Sequence, residues 1–120
     1  MTSGPDAQYQ AFLAAGRFML QRTLGGAILY PPRAIDPATG LETLDWVEMS
    51  GAGTVYSLTT IHARPPAESY NVSLIDLAEG PRMMSRVDGI PLSNVAIGMP
   101  VQARIELVDG DPVVLFWPAQ

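Results

Sequence analysis

The sequence predicts a mainly β protein in which a small five-stranded barrel follows a short N-terminal helix and a hairpin region. Polar and apolar residues alternate with a period of two over residues 54–62 and 101–107, which is the pattern of a half-buried β-strand. Five segments of strand length also lie within residues 44–120, and turn-forming glycine, proline and aspartate residues separate them.

Residues 5–15 predict the helix. Pro5 suits the first helical turn, Asp6 complements the positive end of the helix dipole, and Gly16 suits the stop. Three apolar residues have the spacing of one helical stripe: Tyr9, Phe12 and Leu13. Because so short a helix is marginal alone, we expect the stripe to pack either on its own domain or on a partner protein.

A hairpin region is predicted to follow the helix. Residues 17–22 and 27–30 have the composition of strands, and the two consecutive glycines between them suit a hairpin turn. Two prolines end the second strand, and residues 36–40 predict another turn because Asp36 precedes a proline. This region is too small to bury a core of its own.

The barrel is predicted to begin with a long bent strand. Residues 44–50 and 54–62 form its two arms, and Gly51 and Gly53 supply the backbone freedom for a bulge or sharp bend. The later strands are predicted over residues 70–77, 81–87, 101–107 and 112–117. A connection with one helical turn is predicted over residues 88–94. This pattern is typical of an OB-fold barrel, whereas the alternative, a two-sheet sandwich, usually needs about seven strands.

Two of these strands carry predictions about burial. The apolar positions of residues 70–77 are partly consecutive, which favours a strand that is buried on both faces. Residues 101–107 alternate cleanly, so their apolar side chains, including Leu107, are expected to face the core.

Composition and charge limit the classes of function. Hydrophobic residues make up 48% of the chain, which is enough for a packed core. Twelve acidic residues face seven basic ones, all arginine, and this acidity argues against binding to a polynucleotide backbone. A single arginine can still hold one phosphate or carboxylate. The chain has no cysteine, which excludes disulfides and thiolate metal sites.

We expect no targeting signal in this sequence. No run approaches the roughly 18 apolar residues that a membrane helix needs. The first residues have neither the basic nor the apolar region of a secretory signal. We therefore expect a cytoplasmic protein with no membrane partner.

Five motifs occur in a fixed order. They are residues 20–22 (LQR), 30–33 (YPPR), 44–57 (LDWVEMSGAGTVYS), 79–85 (EGPRMMS) and 97–101 (IGMPV). Each motif is weak alone, but their joint order and spacing are specific. In these motifs the chain resembles, over residues 12–118, the zinc-ribbon/OB-fold proteins of domain of unknown function thirty-five, which accompany thiolases and other acyl-CoA enzymes.

The resemblance implies three segments: an N-terminal helix (residues 1–16), a rubredoxin-like zinc-ribbon hairpin region (residues 17–43) and an OB-fold barrel (residues 44–120). Members of this family usually carry two cysteine pairs in the ribbon. Here Asp36 and Thr39 stand at the positions of the second pair, and no cysteine stands at the first. Tetrahedral zinc needs four such donors, so we expect a vestigial ribbon without zinc or any other metal.

The resemblance further implies a non-catalytic accessory subunit that docks on a thiolase-like or hydratase-like enzyme and helps to shape an acyl-CoA site. Six residues are candidates for the partner interface: Tyr9, Phe12, Leu13, Phe18, Tyr30 and Arg33. For Arg33 the alternative is an ion pair that fixes the junction between ribbon and barrel. No resident cofactor is expected, acyl-CoA is the expected ligand, and a homo-oligomer stays open.

Acyl-CoA carries phosphates, so arginine residues and the single histidine are the candidates for contacts with it. The four candidates are His62, Arg64, Arg82 and Arg86. Arg64 lies in a proline-rich loop beside His62, whereas Arg82 and Arg86 share a strand at even spacing, which places them on one face. An ordinary solvent-exposed role is the alternative for each.

Two other functions stay open. The first is single-stranded nucleic-acid binding by an OB domain, in which aromatic residues stack on bases. The aromatic candidates are Trp46, Tyr56, Phe116 and Trp117, with core packing as the alternative. The second is acyl-CoA hydration or hydrolysis with His62 as a general base and Asp76 or Asp88 as its partner. The sequence places no nucleophile beside His62, which favours a protein that is not an enzyme.

Overall fold

The computed structural model describes residues 4–35, 37, 39–40, 44–65 and 68–119. The elements within these ranges are α1 (Pro5–Ala14), β1 (Met19–Arg22), β2 (Ile28–Leu29), β3 (Asp45–Glu48), β4 (Ala52–Ile61), β5 (Tyr70–Leu77), β6 (Arg82–Ser85), a 3-10 turn (Leu92–Asn94), β7 (Pro100–Val108) and β8 (Asp111–Pro118). The prediction of a mainly β protein with one short helix is confirmed. Within the same ranges no helix is long and apolar enough to cross a membrane.

Helix α1 begins and ends close to the predicted residues. Pro5 occupies the first turn, and Gly16 follows the helix with a φ of +80°. The N–H of Gly16 donates to the carbonyl of Leu13 and that of Arg17 to the carbonyl of Phe12, each at 2.9 Å. These two bonds form a Schellman motif, which the left-handed glycine permits.

The first sheet is antiparallel and has the strand order β2-β1-β3. Strand β3 pairs with β1 from Met19 opposite Glu48 to Arg22 opposite Asp45. The prediction that residues 44–50 form the first arm of a barrel strand is therefore wrong about the sheet, although it is right about the strand. The domain boundary near residue 44 stays a prediction.

The glycine hinge between β3 and β4 is where the chain leaves one sheet for the other. Gly51 has a φ of +82°, a backbone conformation that glycine adopts without strain. Two side chains hold Ser50, the residue before Gly51. Its N–H donates to Glu79 Oε2 at 2.9 Å, and Gln102 Nε2 donates to its carbonyl at 2.8 Å. The hinge is therefore fixed, and it sets the angle between the two sheets.

The second sheet has the strand order β6-β5-β4-β7-β8 and curls until its two outer strands meet. Val87, just beyond β6, forms a parallel bridge with Phe116 of β8. The N–H of Phe116 donates to the Arg86 carbonyl at 3.0 Å, and the N–H of Asp88 donates to the Phe116 carbonyl at 2.8 Å. Five strands joined in this way form the partly open barrel of an OB fold, as predicted.

One hydrophobic core joins the helix, the first sheet and the barrel. Leu13 of α1 and Leu20 of β1 belong to the same buried cluster as Val55, Ile75 and Phe116 of the barrel. Leu20, Ile75 and Phe116 are fully buried. Because the first sheet contributes to this core, its fold is held by packing against the barrel.

Strand β5 differs from its prediction in the orientation of its residues. Asn71, Ser73, Ile75 and Leu77 are buried, whereas the residues between them are only half-buried. The strand therefore buries one face, and two polar side chains lie on that face. The prediction of burial on both faces is wrong, because Val72 and the other apolar residue of the outer face, Leu74, are only partly buried.

Strands β7 and β8 form a hairpin that extends beyond the rest of the barrel. A two-residue turn closes it, with φ of 52° at Asp109 and 86° at Gly110, as in a type I′ turn. Leu107, near this turn, is 73% exposed. The prediction that Leu107 faces the core is wrong, because the strands that would cover it end before the hairpin does.

We predict that Gly89→Ala destabilises the protein more than Gly98→Ala. Both glycines have a left-handed φ, of +87° and +91°, and an alanine there costs about 1–2 kcal/mol. A Cβ at Gly89 would also overlap the Trp117 ring, whereas nothing lies within 4 Å of a Cβ at Gly98. The overlap adds about 1–3 kcal/mol. Equal losses in urea unfolding of the two variants would contradict this packing.

Candidate functional site

The four residues predicted to contact acyl-CoA lie in three separate places. His62 and Arg64 follow β4 and are both exposed. Neither one forms a hydrogen bond or an ion pair with another residue that the structure describes. Their side chains are therefore available to a ligand or a partner.

Arg82 of β6 is already engaged within the chain. Its Nε donates to Asp76 Oδ1 at 2.6 Å, and its guanidinium carbon lies 3.4 Å from the centroid of the Tyr56 ring. The hydrogen bond to Asp76 raises the pKa of Arg82 above its ordinary value. Arg82 thus covers one face of an exposed aromatic ring and has its own counter-ion.

Arg86 forms a bidentate pair with Asp88. Nε and Nη2 of Arg86 donate to the two carboxylate oxygens of Asp88, each at 2.9 Å. Both residues line a polar cavity of about 470 Å³ at one end of the barrel, together with Tyr70, Asn71 and Gly89. Among the described residues that line the cavity, Arg86 is neutralised by Asp88, and Glu68 adds a second carboxylate.

The structure places Arg82 and Arg86 on the same face, as predicted, because the residues on the other face, Met83 and Val87, are buried. Residues four apart on an extended strand are about 13 Å apart. Each arginine also pairs with a different carboxylate. The two side chains therefore do not converge on one anion.

The hypothesis of a catalytic His62–Asp pair is not supported by the register. Asp76 lies opposite Thr54, and His62 is eight residues further along the chain, about 26 Å away on an extended strand. The carboxylate of the other candidate, Asp88, forms an ion pair with Arg86. His62 therefore has neither of the carboxylates proposed to orient it as a general base.

A buried amide closes the barrel beside the polar cavity. Asn71 Nδ2 donates to the Val87 carbonyl at 2.8 Å, and the N–H of Val87 donates to Asn71 Oδ1 at 3.0 Å. Ser73 Oγ donates to the same Oδ1 at 2.7 Å. Asn71 thus bonds Val87 as a neighbouring strand would, which positions Arg86 and Asp88 on either side of it.

The structure corrects two of the predicted interface residues. Leu13 and Phe18 are 2% and 7% exposed and lie in the core of this chain, so they are not available to a partner. The apolar stripe of α1 therefore packs on its own domain. Phe12 packs on Trp46 with ring centroids 5.2 Å apart and is half-buried.

Tyr9 and Tyr30 join the helix to the first sheet. Their rings meet edge to face with centroids 6.5 Å apart. Burial raises the pKa of both phenols, and the neighbouring Tyr30 raises the pKa of Tyr9 further. Both line an apolar groove of about 390 Å³ with Met84 and Val108. Tyr9, Phe12 and Tyr30 stay candidates for the interface.

Arg33 is held through its backbone. Gln21 Nε2 donates to the Arg33 carbonyl, and the Arg33 N–H donates to Gln21 Oε1, each at 2.6 Å. The Gln21 amide therefore fixes the backbone after β2 to β1. The predicted ion pair of Arg33 is not found among the described residues, and its guanidinium is exposed.

The residues of the ribbon do not fit a zinc ion. The chain has no cysteine, and its only histidine lies beyond β4. At the first predicted pair, Thr23 Oγ1 accepts the N–H of Ala27 at 3.1 Å and closes the hairpin turn. At the second pair, Asp36 lies outside the described residues, and Thr39 is not a zinc ligand type. The zinc-free ribbon stays a prediction.

Sequence reasoning missed the two amides that organise these surfaces. The sequence places Asn71 as a polar residue within a strand. Its hydrogen bond to Val87, 16 residues away, could not be predicted because only the fold brings the two residues together. Gln21 belongs to a motif that the sequence analysis singled out, yet its partner backbone lies 12 residues away.

The topology defines the chain as an OB-fold protein with an N-terminal helix and a three-stranded antiparallel sheet. Residues 46–106 match the family described as "ChsH2, C-terminal OB-fold domain". A "DUF35 domain-containing scaffold protein" of Methanocaldococcus jannaschii is 30% identical over 97 residues, which cover 75% of this chain and 69% of that protein. The chain belongs to this family of DUF35 OB-fold proteins, and the resemblance is confirmed.

Two further relatives are informative. A "Probable enoyl-CoA hydratase alpha subunit" of Thermomonospora curvata is 36% identical over 100 residues, which cover 80% of this chain but only 31% of that subunit. A chain of the solved structure "Ltp2-ChsH2(DUF35) aldolase" has a TM-score of 0.87 and 30% identity, over 99% of this chain and 98% of that chain.

We predict that Tyr9 makes stability sensitive to alkaline pH. Below about pH 10 tyrosine is neutral in both states, so stability is unaffected. Above it the unfolded tyrosine ionises while the raised pKa keeps folded Tyr9 neutral, so the free energy of unfolding falls by up to about 1.4 kcal/mol per pH unit. Urea unfolding should give a shallower decline for Tyr9→Phe than for wild type. The control Tyr70→Phe, at an exposed ring, should retain the wild-type slope, and equal slopes for all three would contradict the prediction.

Proposed function

We propose that this chain is a cytoplasmic, non-catalytic accessory subunit that docks on a thiolase-like or hydratase-like acyl-CoA enzyme and contributes to its acyl-CoA site. The main support is the likeness, over nearly the whole of both chains, to a chain of the structure named "Ltp2-ChsH2(DUF35) aldolase". The relative named as a hydratase subunit is matched over 31% of its length. For this reason we assign a supporting role and not a hydratase activity.

The chemistry of the described residues supports a role without catalysis. A general base needs a partner that orients it and a substrate proton within reach. His62 has no hydrogen bond to a carboxylate in the described ranges, and the Asp76 and Asp88 carboxylates are held by Arg82 and Arg86. This chain therefore offers surfaces and charges to a partner, and the partner supplies the reacting groups.

Among the predicted ligand residues, Arg64 and His62 are the ones we assign to acyl-CoA. Arg64 is exposed in the loop after β4 and has no counter-ion among the described residues. A phosphate of acyl-CoA would supply one. Arg82 and Arg86 would first have to break their pairs with Asp76 and Asp88, so we assign them a structural role.

The proposal is tested by mixing the purified chain with thiolase-type and hydratase-type enzymes of the source organism. Size-exclusion chromatography with light scattering should give a complex with one of these enzymes, of a mass that contains both proteins. A chain that elutes alone with every such enzyme would overturn the proposal.

We predict that Arg64→Ala weakens binding of acyl-CoA to that complex by about tenfold or more, because a hydrogen bond to a charged group contributes about 1.5–3 kcal/mol. Isothermal titration with the acyl-CoA measures this. The control Arg22→Ala removes an exposed arginine of the first sheet and should leave the affinity unchanged. Equal affinities for the two variants would contradict the assignment of Arg64.

The alternative of single-stranded nucleic-acid binding has the OB topology in its favour. Its aromatic candidates are less accessible than it needs: Phe116 is fully buried, and arginine side chains lie over the rings of Tyr56 and Trp117. The acidic composition also opposes it. Salt-dependent binding of an oligonucleotide at micromolar concentration would favour this alternative.

A further inference from the structure

Strand β7 has a free edge. It pairs with β8 from Val101 to Val108, but it pairs with β4 only from Pro100 to Gln102. The last bond on that side joins the N–H of Ala103 to the Gly51 carbonyl at 2.9 Å. Beyond Ala103, β7 has no neighbouring strand on this side among the described residues.

The register identifies the backbone groups at this edge. Val108 and Asp111 close the hairpin around a two-residue turn, so they form a hydrogen-bonded pair. Because hydrogen-bonded and non-bonded pairs alternate along an antiparallel ladder, Glu106 also bonds to β8, whereas Ile105 and Leu107 direct their N–H and C=O groups to the free edge. The bond from the N–H of Ala103 to Gly51 agrees with this alternation, because Ala103 is two residues before Ile105 and also directs its N–H away from β8.

The outer edge of β8, on the side away from β7, is less able to pair with another strand than the free edge of β7. Pro112 has no N–H to offer, and Ser85 Oγ donates to the Val114 carbonyl at 2.7 Å. On β7 no proline follows Pro100, and Leu107 is 73% exposed. An exposed edge of this kind is a template for pairing with another chain.

A cleft leads along the same edge. It has a volume of about 460 Å³, and Ala103 and Ile105 of β7 form one wall while the exposed Glu48 and Ser50 form the other. The second wall belongs to the end of the first sheet. The cleft therefore leaves room for an extended segment beside β7.

We propose that an extended segment of the partner enzyme pairs with β7 through the backbone of Ile105 and Leu107. This inference rests on the proposed docking function and names the surface that carries it. Backbone pairing of this type is a recurring mode of recognition. The segment adds a strand to the barrel sheet and buries the exposed Leu107 side chain.

Charge defines the chemistry of this segment. Glu106 has no ion pair among the described residues, whereas Arg104 lies over the Trp117 ring at 4.7 Å. Opposite charges on directly opposed strand residues are favourable. The incoming segment therefore carries a lysine or arginine opposite Glu106 and an apolar residue beside Leu107.

A second copy of this chain fits the edge less well. A symmetric pair centred on Glu106 would place two Glu106 carboxylates opposite each other, which is unfavourable. A pair centred on Ile105 would need the N–H of Ala103, which Gly51 already uses. The partner enzyme is therefore the occupant that we propose.

The first test uses Leu107→Pro, with Leu107→Ala as the matched control. Proline removes an N–H that faces the free edge and leaves the bonds between β7 and β8 in place, whereas alanine removes the side chain and keeps the N–H. We expect Leu107→Pro to bind the partner enzyme at least about tenfold more weakly than Leu107→Ala when each variant is titrated into that enzyme. Equal affinities of the proline and alanine variants would overturn the pairing.

The second test uses the wild-type chain, so it does not depend on whether the proline variant folds. Hydrogen exchange at the amides of Ile105 and Leu107 should be fast in the free chain and protected in the complex, while the amide of Glu106 should be slow in both. A complex without new protection at these amides overturns the pairing but leaves the docking function standing. If no complex forms, the docking function itself fails. Protection that arises in the free chain together with a dimeric mass would instead assign the edge to a second copy.

Discussion

The barrel depends on the way one residue, Val87, is bonded. The backbone of its two neighbours, Arg86 and Asp88, bonds to Phe116 of β8, and its own N–H and C=O bond to the Asn71 side chain. All of these groups are accounted for, whereas a buried backbone group left without a partner costs about 1–3 kcal/mol. This closure places the Arg86–Asp88 pair at the polar cavity and brings Gly89 against Trp117.

In the first sheet, too, a side-chain amide bonds both backbone groups of one residue. The Gln21 amide bonds the N–H and C=O of Arg33, as Asn71 bonds those of Val87, and both amides are buried. Leu20 of the same strand lies in the core of the barrel. Two motifs of the sequence, one with Gln21 and one with Arg33, are therefore in contact, and they join β1 to the loop that follows β2.

Much of the fold could be predicted because alternation and turn residues are local signals. The limits of β5 are those predicted, and the hairpin at Asp109 follows from its turn residues. Sheet membership could not be predicted, since the pattern of residues 44–50 indicates a strand but not its neighbour. The same limit explains Leu107, whose exposure depends on where β4 ends. Of the candidate site, residue types were predictable, whereas the pair Arg82–Asp76 depends on the register of β5 and β6.

We proposed that this chain docks and that its partner supplies the chemistry, and turnover of an acyl-CoA substrate tests that division of roles most directly. The measurement compares the chain alone, the partner enzyme alone, the complex, and the complex with His62→Ala. We predict no turnover by the chain alone and faster turnover by the complex than by the partner alone. Because His62 is assigned to binding and not to proton transfer, His62→Ala should raise the KM of the complex for acyl-CoA and leave kcat unchanged. Turnover by the isolated chain that is lost with His62→Ala would contradict this division of roles.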